Sequence, residues 1–175
     1  MTESAASESK VLAGVLLELG KTLLVCQAYE GTLCLLLLLI TREENGEEEG
    51  AFNAALDLYS QKTLGQLLKQ LAQKLDVSGE LRNHLTVGWE RRNVVVHRFL
   101  HDHAVYLASP EGRLEAKRLL VQYKQEVKIA DVVANRILDL FLKKYGTSVQ
   151  DLKRNADRLW SHMNPTKPNG ISEKH

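Results

Sequence analysis

At 175 residues, 44% hydrophobic and 26% charged, the chain is long enough to bury one ordinary globular core without disulfides or metal staples. Its 23 basic and 22 acidic residues leave a formal net charge of +1 at pH 7, which excludes a global cationic field, so any nucleic-acid site must be a local patch. Cys26 and Cys34 stand eight positions apart in a helical segment, a rise of roughly 12 Å and beyond disulfide reach. They read as buried thiols of a reducing, cytoplasmic protein, and MTESAASESK has neither the charged start nor the apolar core of a secretory signal.

A first helix is expected from about Ser9 to Arg42, with bends at Gly20 or Gly31, ending at the acidic turn EENGEEEG, where Asn45-Gly46 breaks it. Its most apolar part, LCLLLLLI from Leu33 to Ile40, is far shorter than the roughly 20 residues of a membrane span. Glu30, Lys21 and Glu18 interrupt its extension, so the run reads as a central helix surrounded by neighbours, with no membrane involved.

After AFNAALDLYS, Thr63 can cap a second helix whose apolar stripe is Leu64, Leu67, Leu68, Leu71 and Leu75. Ser78, with Glu80 and Leu81 behind it, opens a long third helix to about Ala108. Ser109-Pro110-Glu111 starts a fourth, to about Tyr145, with proline at its favoured first position. Gly146 stops that helix, and Thr147 with Gln150 matches a capping box for a fifth, through DLKRNADRLWSHM to Pro165. No stretch alternates with the period of a strand. The expected architecture is all-α: an up-and-down bundle of about five helices with long first, third and fourth members, one domain over 1–163, and a disordered tail over 164–175.

On a regular wheel the third helix carries Leu81, Leu85, Trp89, Val96, Phe99, Leu100 and Leu107 on a core-facing arc, with Val95 and Tyr106 at its margin. A smaller arc of Val87, Val94 and Val105 calls for a second partner, for which another copy of the chain is the simplest candidate. Between them Glu90, Asn93, His97 and His101 stack along one line able to border a cleft, while Arg92 falls inside the apolar arc and needs a carboxylate, a subunit or a phosphate. A polar stripe is also what a solvated helix face looks like, and a buried arginine often serves a structural ion pair. His97 and His101 have a zinc-compatible spacing beside Glu90, but a third good ligand is missing and the cysteines lie on another helix, so no metal is expected. His103 falls on the apolar arc and reads as a satisfied core histidine.

The segment Arg92-Asn93-Val94-Val95-Val96-His97 resembles the motif of the HEPN superfamily: arginine, a polar residue, three further positions and histidine, on the third long helix of an α-helical domain. Trp89-Glu90-Arg91 before it, Arg98-Phe99-Leu100 after it and TLGQLLKQL one helix earlier are similar to the abortive-infection-related and uncharacterised branches. Toxin members paired with a nucleotidyltransferase carry tyrosine two residues after the histidine, where this chain has Phe99.

The resemblance implies an RNA endonuclease that uses neither metal nor other cofactor, acting as a toxin or antiviral effector, restrained by an antitoxin or other inhibitor protein. Its site would be built at a homodimer interface. There His97 would act as general acid or base, Arg92 would grip the phosphate and offset transition-state charge, and Asn93 would orient the imidazole or the ribose. Glu90 and His101 would tune His97. Arg91 and Arg98 point elsewhere on the wheel, as surface charge or RNA backbone contacts, and further backbone contacts would come from Arg113, Lys117, Arg118, Lys124, Lys128, Lys153, Arg154 and Arg158. The other reading of the same residues is a non-catalytic helical dimer that regulates or binds proteins, with Arg92 and His97 serving only its interface.

Overall fold

The computed structural model describes residues 2–45, 63–75 and 78–163, and every regular element among them is helical. The chain is all-α. In order these elements are α1 (Thr2–Asn45), α2 (Leu64–Lys74), α3 (Gly79–Asn93), a π-helical turn (Val94–Arg98), two short helices α4 (Phe99–Asp102) and α5 (Ala104–Leu107), then α6 (Pro110–Lys143) and α7 (Val149–Met163). The AFNAALDLYS segment, most of the acidic turn before it and the 164–175 tail lie outside the described residues.

The starts follow side-chain chemistry. Thr63 accepts from the Gln66 amide while the Gln66 side chain receives the Thr63 N–H at 2.9 Å, a reciprocal cap that satisfies two donors at the start of α2. Ser78 accepts from Leu81 N–H, and Ser109 from Gly112 N–H at 3.0 Å with Pro110 next in line. Gly146 adopts φ 67° and ends α6. The expected Thr147 box is replaced by Ser148: its hydroxyl receives the Asp151 amide at 3.2 Å and donates to the Asp151 carboxylate at 2.6 Å. That places the cap one residue later.

The first helix is longer than expected at both ends and is continuous through Gly20 and Gly31, because no proline interrupts a leucine-rich run of strong helix formers. Its Ser9–Thr41 stretch is long and apolar enough to cross a bilayer by length and composition. Within the bundle one face of α1, including Val15, Cys26, Tyr29, Leu33, Leu36 and Leu37, is fully buried, packed most extensively on α6. Each such leucine contributes about 1.5–3 kcal/mol by leaving water. A smaller cluster of Val15, Phe99, Ala116 and Leu120 closes the end where α4 lies.

Polar contacts also hold α1 in place. The Tyr29 hydroxyl donates to the Leu85 carbonyl of α3 at 2.8 Å. Glu18, only 6% exposed, forms an ion pair with Lys124 of α6. Thr32 donates to the Asp131 carboxylate of α6 at 2.8 Å. Alpha3 reaches the same layer through Gly88, where a Cβ would lie 2.3 Å from that of Ala130 and 3.3 Å from the Tyr29 ring. Only hydrogen fits there, so α3, α1 and α6 meet at one point, one turn before Arg92.

Candidate functional site

The third long helix is not regular. The Phe99 N–H bonds to the Val94 carbonyl, five residues back, across Val94–Arg98. A wide turn of this kind takes up one extra residue, so side chains beyond it lag a regular helix by roughly 100°. Val95 and Phe99 are therefore buried, whereas Val96 and Leu100 are 39% and 52% exposed. This corrects the wheel, which turned Val96 and Leu100 inward. Among the apolar residues placed on the wheel, Val96, Leu100, Val105 and Tyr106 are exposed, and Val87 and Val94 are half-buried.

The same turn builds the site. Residues five apart on a regular α-helix point about 140° away from one another. Across the wide turn Arg92 and His97 meet: Arg92 Nη1 lies 2.9 Å from His97 Nε2 and donates to Asn93 Oδ1 at 3.1 Å. A guanidinium N–H can only donate, so in this hydrogen bond Nε2 is the acceptor. The other end of the guanidinium, Nη2, pairs with Glu30 of α1. The Arg92 side chain is 16% exposed and that of Glu30 31%, so the pair is largely shielded from water. Arg92 Nε is buried with no hydrogen-bond partner among the described residues.

These groups line a cleft of about 550 Å³, whose other walls come from Thr63 and Gly65 at the start of α2 and from Trp89 and Arg98. One turn before Glu30 on α1 is the buried Cys26; burial pushes its thiol up to about 11, with the Arg92 charge opposing and the Glu30 charge adding to the rise. A thiol in that range stays protonated at neutral pH and is no nucleophile.

Arg92, Asn93 and His97 are thus brought together, and the two expected tuning residues are not. Glu90 is exposed outside the cleft, and His101, also exposed, faces Asp102 at 3.1 Å. That hydrogen bond, opposed by slight desolvation and aided by the Arg98 charge, holds the Asp102 carboxyl below its ordinary value. Four residues after His97, His101 lies on the same helix but outside the cleft. Glu30 is the residue that reading the sequence passed over: it registered only as a charge interrupting an apolar run, and its partner is 62 positions away.

Of the flanking arginines, Arg91 differs from the expected surface charge, and Arg98 is an exposed one. Arg91 turns inward to α6, pairs with Glu126 and lies over the Tyr123 ring, 5.1 Å from its centroid. Arg98 is carried into the cleft wall by the wide turn and bonds Asp102 at 3.1 Å. His103 is packed as expected of a core histidine, edge-on to Phe99 at 4.6 Å, yet neither ring nitrogen has a hydrogen-bond partner among the described residues. Of the other cations, Lys124 is committed to Glu18, Arg118 to Glu115 and Arg154 to Asp151, while Arg113 donates to the Leu107 carbonyl at 2.9 Å. These contacts weaken any continuous basic track along α6 and α7.

Compared with known proteins, the chain matches no family model, no curated protein and no solved structure.

Proposed function

We propose that the cleft is the active site of a metal-independent endoribonuclease of HEPN type, a toxin or antiviral effector that works as a homodimer. The observation that carries the reading is the convergence of Arg92, Asn93 and His97 at one cleft through the wide turn, which supplies a fixed cation, an amide and an imidazole within hydrogen-bond distance. An RNA phosphate entering there competes for Arg92 Nη1. Once the phosphate has taken that donor, His97 Nε2 is free to accept the ribose 2'-hydroxyl proton. The 2'-oxygen then bonds to phosphorus, the bond to the 5'-oxygen breaks, and the departing oxygen takes a proton from a second acid. In a dimer this acid is the imidazole of the other copy in its protonated form, its Nε2 released from Arg92, so that the proton gained by one His97 is matched by the proton given up by the other. Arg92 offsets the charge on the phosphorane throughout. The uncovered Val96 and Leu100, beside His97 and Arg98, offer an apolar contact for that second copy.

One observation favours the other reading, a non-catalytic helical dimer for regulation or protein binding. Glu30 already neutralises Arg92, as in a structural ion pair. An oligoribonucleotide incubated with the protein and a chelator separates the two. Cleavage to fragments ending in cyclic phosphate, with a 2'-O-methyl version left intact, supports the nuclease; cutting of the methylated strand, or of neither, removes it.

A further inference from the structure

A second cavity, of about 220 Å³, opens between α2 and α3, and it shares Gly65 and Trp89 with the Arg92 cleft as a common wall. Leu68, Leu71, Leu85 and the Trp89 indole give it an apolar lining, and Leu71 and Leu85 are buried residues of the main core, so that lining is rigid. The polar residues around it are Lys69, Arg82 and Thr86, two of them cationic. Gly65 and Trp89 pack closely in that shared wall: a Cβ at Gly65 would stand 3.2 Å from the six-membered ring of Trp89. At about 30 Å³ per water the slot has room for roughly seven, the bulk of one planar ring system and too little for a folded peptide segment.

We infer that this slot is a nucleobase subsite, in which one base of an RNA strand lies against Trp89 while a neighbouring phosphate occupies the Arg92 cleft. Its reference to RNA rests on the ribonuclease reading. Three features favour a base over another apolar occupant. The slot adjoins the larger cleft that holds the Arg92 guanidinium, so one strand can fill both. Its aromatic wall offers stacking to any base, whatever its hydrogen-bonding edge. Lys69 and Arg82 supply positive charge for the backbone leaving it.

Binding is measured by the fluorescence of Trp89 in a Trp160→Phe background, which leaves one indole in the chain. AMP is the probe and ribose 5-phosphate the control. The expected result is a saturable quench by AMP with little response to ribose 5-phosphate. Ala72→Phe, which fills the slot from an exposed position on its rim, weakens AMP binding by about tenfold, the scale of one lost stacking contact. Lys69→Glu, on the exposed rim, weakens it as well and guards against a folding defect in the first variant. No saturable quench, an equal response to ribose 5-phosphate, or AMP binding unchanged in both variants overturns the inference. RNA cleavage assayed on the same samples keeps the two readings apart: cutting without an AMP response sinks the subsite alone, and an AMP response without cutting sinks the nuclease reading while the base site stands.

Discussion

At the scale of single residues, the site is a contest for one guanidinium. Glu30, Asn93 and His97 all hold Arg92, and a phosphate must displace at least one of them. Glu30→Gln keeps the shape and removes the competing charge. RNA binding by this variant is therefore expected to tighten several-fold, read as a lower KM or Kd at low salt; unchanged or weaker binding contradicts the displacement step. Arg92 and His97 could be picked out in the sequence because arginine and histidine are rare cargo in an apolar helix. Glu30 could not, since only the fold reveals which charge answers a buried cation from a distant helix. Gly88 gives a stability counterpart. Gly88→Ala forces a methyl into the Ala130 contact and is expected to destabilise by about 1–3 kcal/mol, read as a lower Tm.

At the scale of elements, the wide turn at Val94–Arg98 separates what periodicity predicts from what the chain does. Helix starts were legible at Thr63, Ser78 and Ser109-Pro110 because each depends on neighbours in sequence. The phase of the third helix beyond Asn93 was not, because one extra residue in a turn leaves the pattern of apolar residues unmarked until the far side is packed. The turn behaves as a one-residue insertion, so deleting the exposed Val96 is expected to regularise the helix, keep Phe99 in its core position and leave Tm nearly unchanged. Deleting Thr86 from the regular part of α3 rotates everything after it and is expected to collapse the fold. Thermal melts of the two deletions decide, and equal loss in both contradicts the insertion account.

The link between α3 and α6 has its own pH signature. Burial raises the Glu126 pKa, but hydrogen bonds from Gln122 and Arg91 outweigh it and hold the carboxyl below its ordinary value of 4.5. A carboxyl depressed on folding contributes stability above its unfolded pKa and loses it as pH falls through the folded value. The Tm gap between wild type and Glu126→Gln is therefore expected to be present at pH 7 and to shrink below about pH 4. A gap that widens in acid contradicts this.

At the scale of the whole molecule, the chain is an all-α bundle in which α1, α3 and α6 form the frame and the cleft opens where α1, the start of α2 and the wide turn converge. Val96 and Leu100 on the outer side of that turn set up the proposed pairing of two copies, and Val96→Glu with Leu100→Glu is expected to convert a dimer to a monomer by mass in solution while the helical content stays the same. A wild-type monomer at assay concentration removes the shared-cleft arrangement.

The central claim, that the imidazole of His97 moves protons during RNA cleavage, is tested most directly by digesting total RNA in chelator with wild type and with His97→Ala of matched helicity. The account predicts cyclic-phosphate fragments from the wild type and a rate lower by about a hundredfold or more in the variant. Equal degradation by both, or none by either, contradicts it.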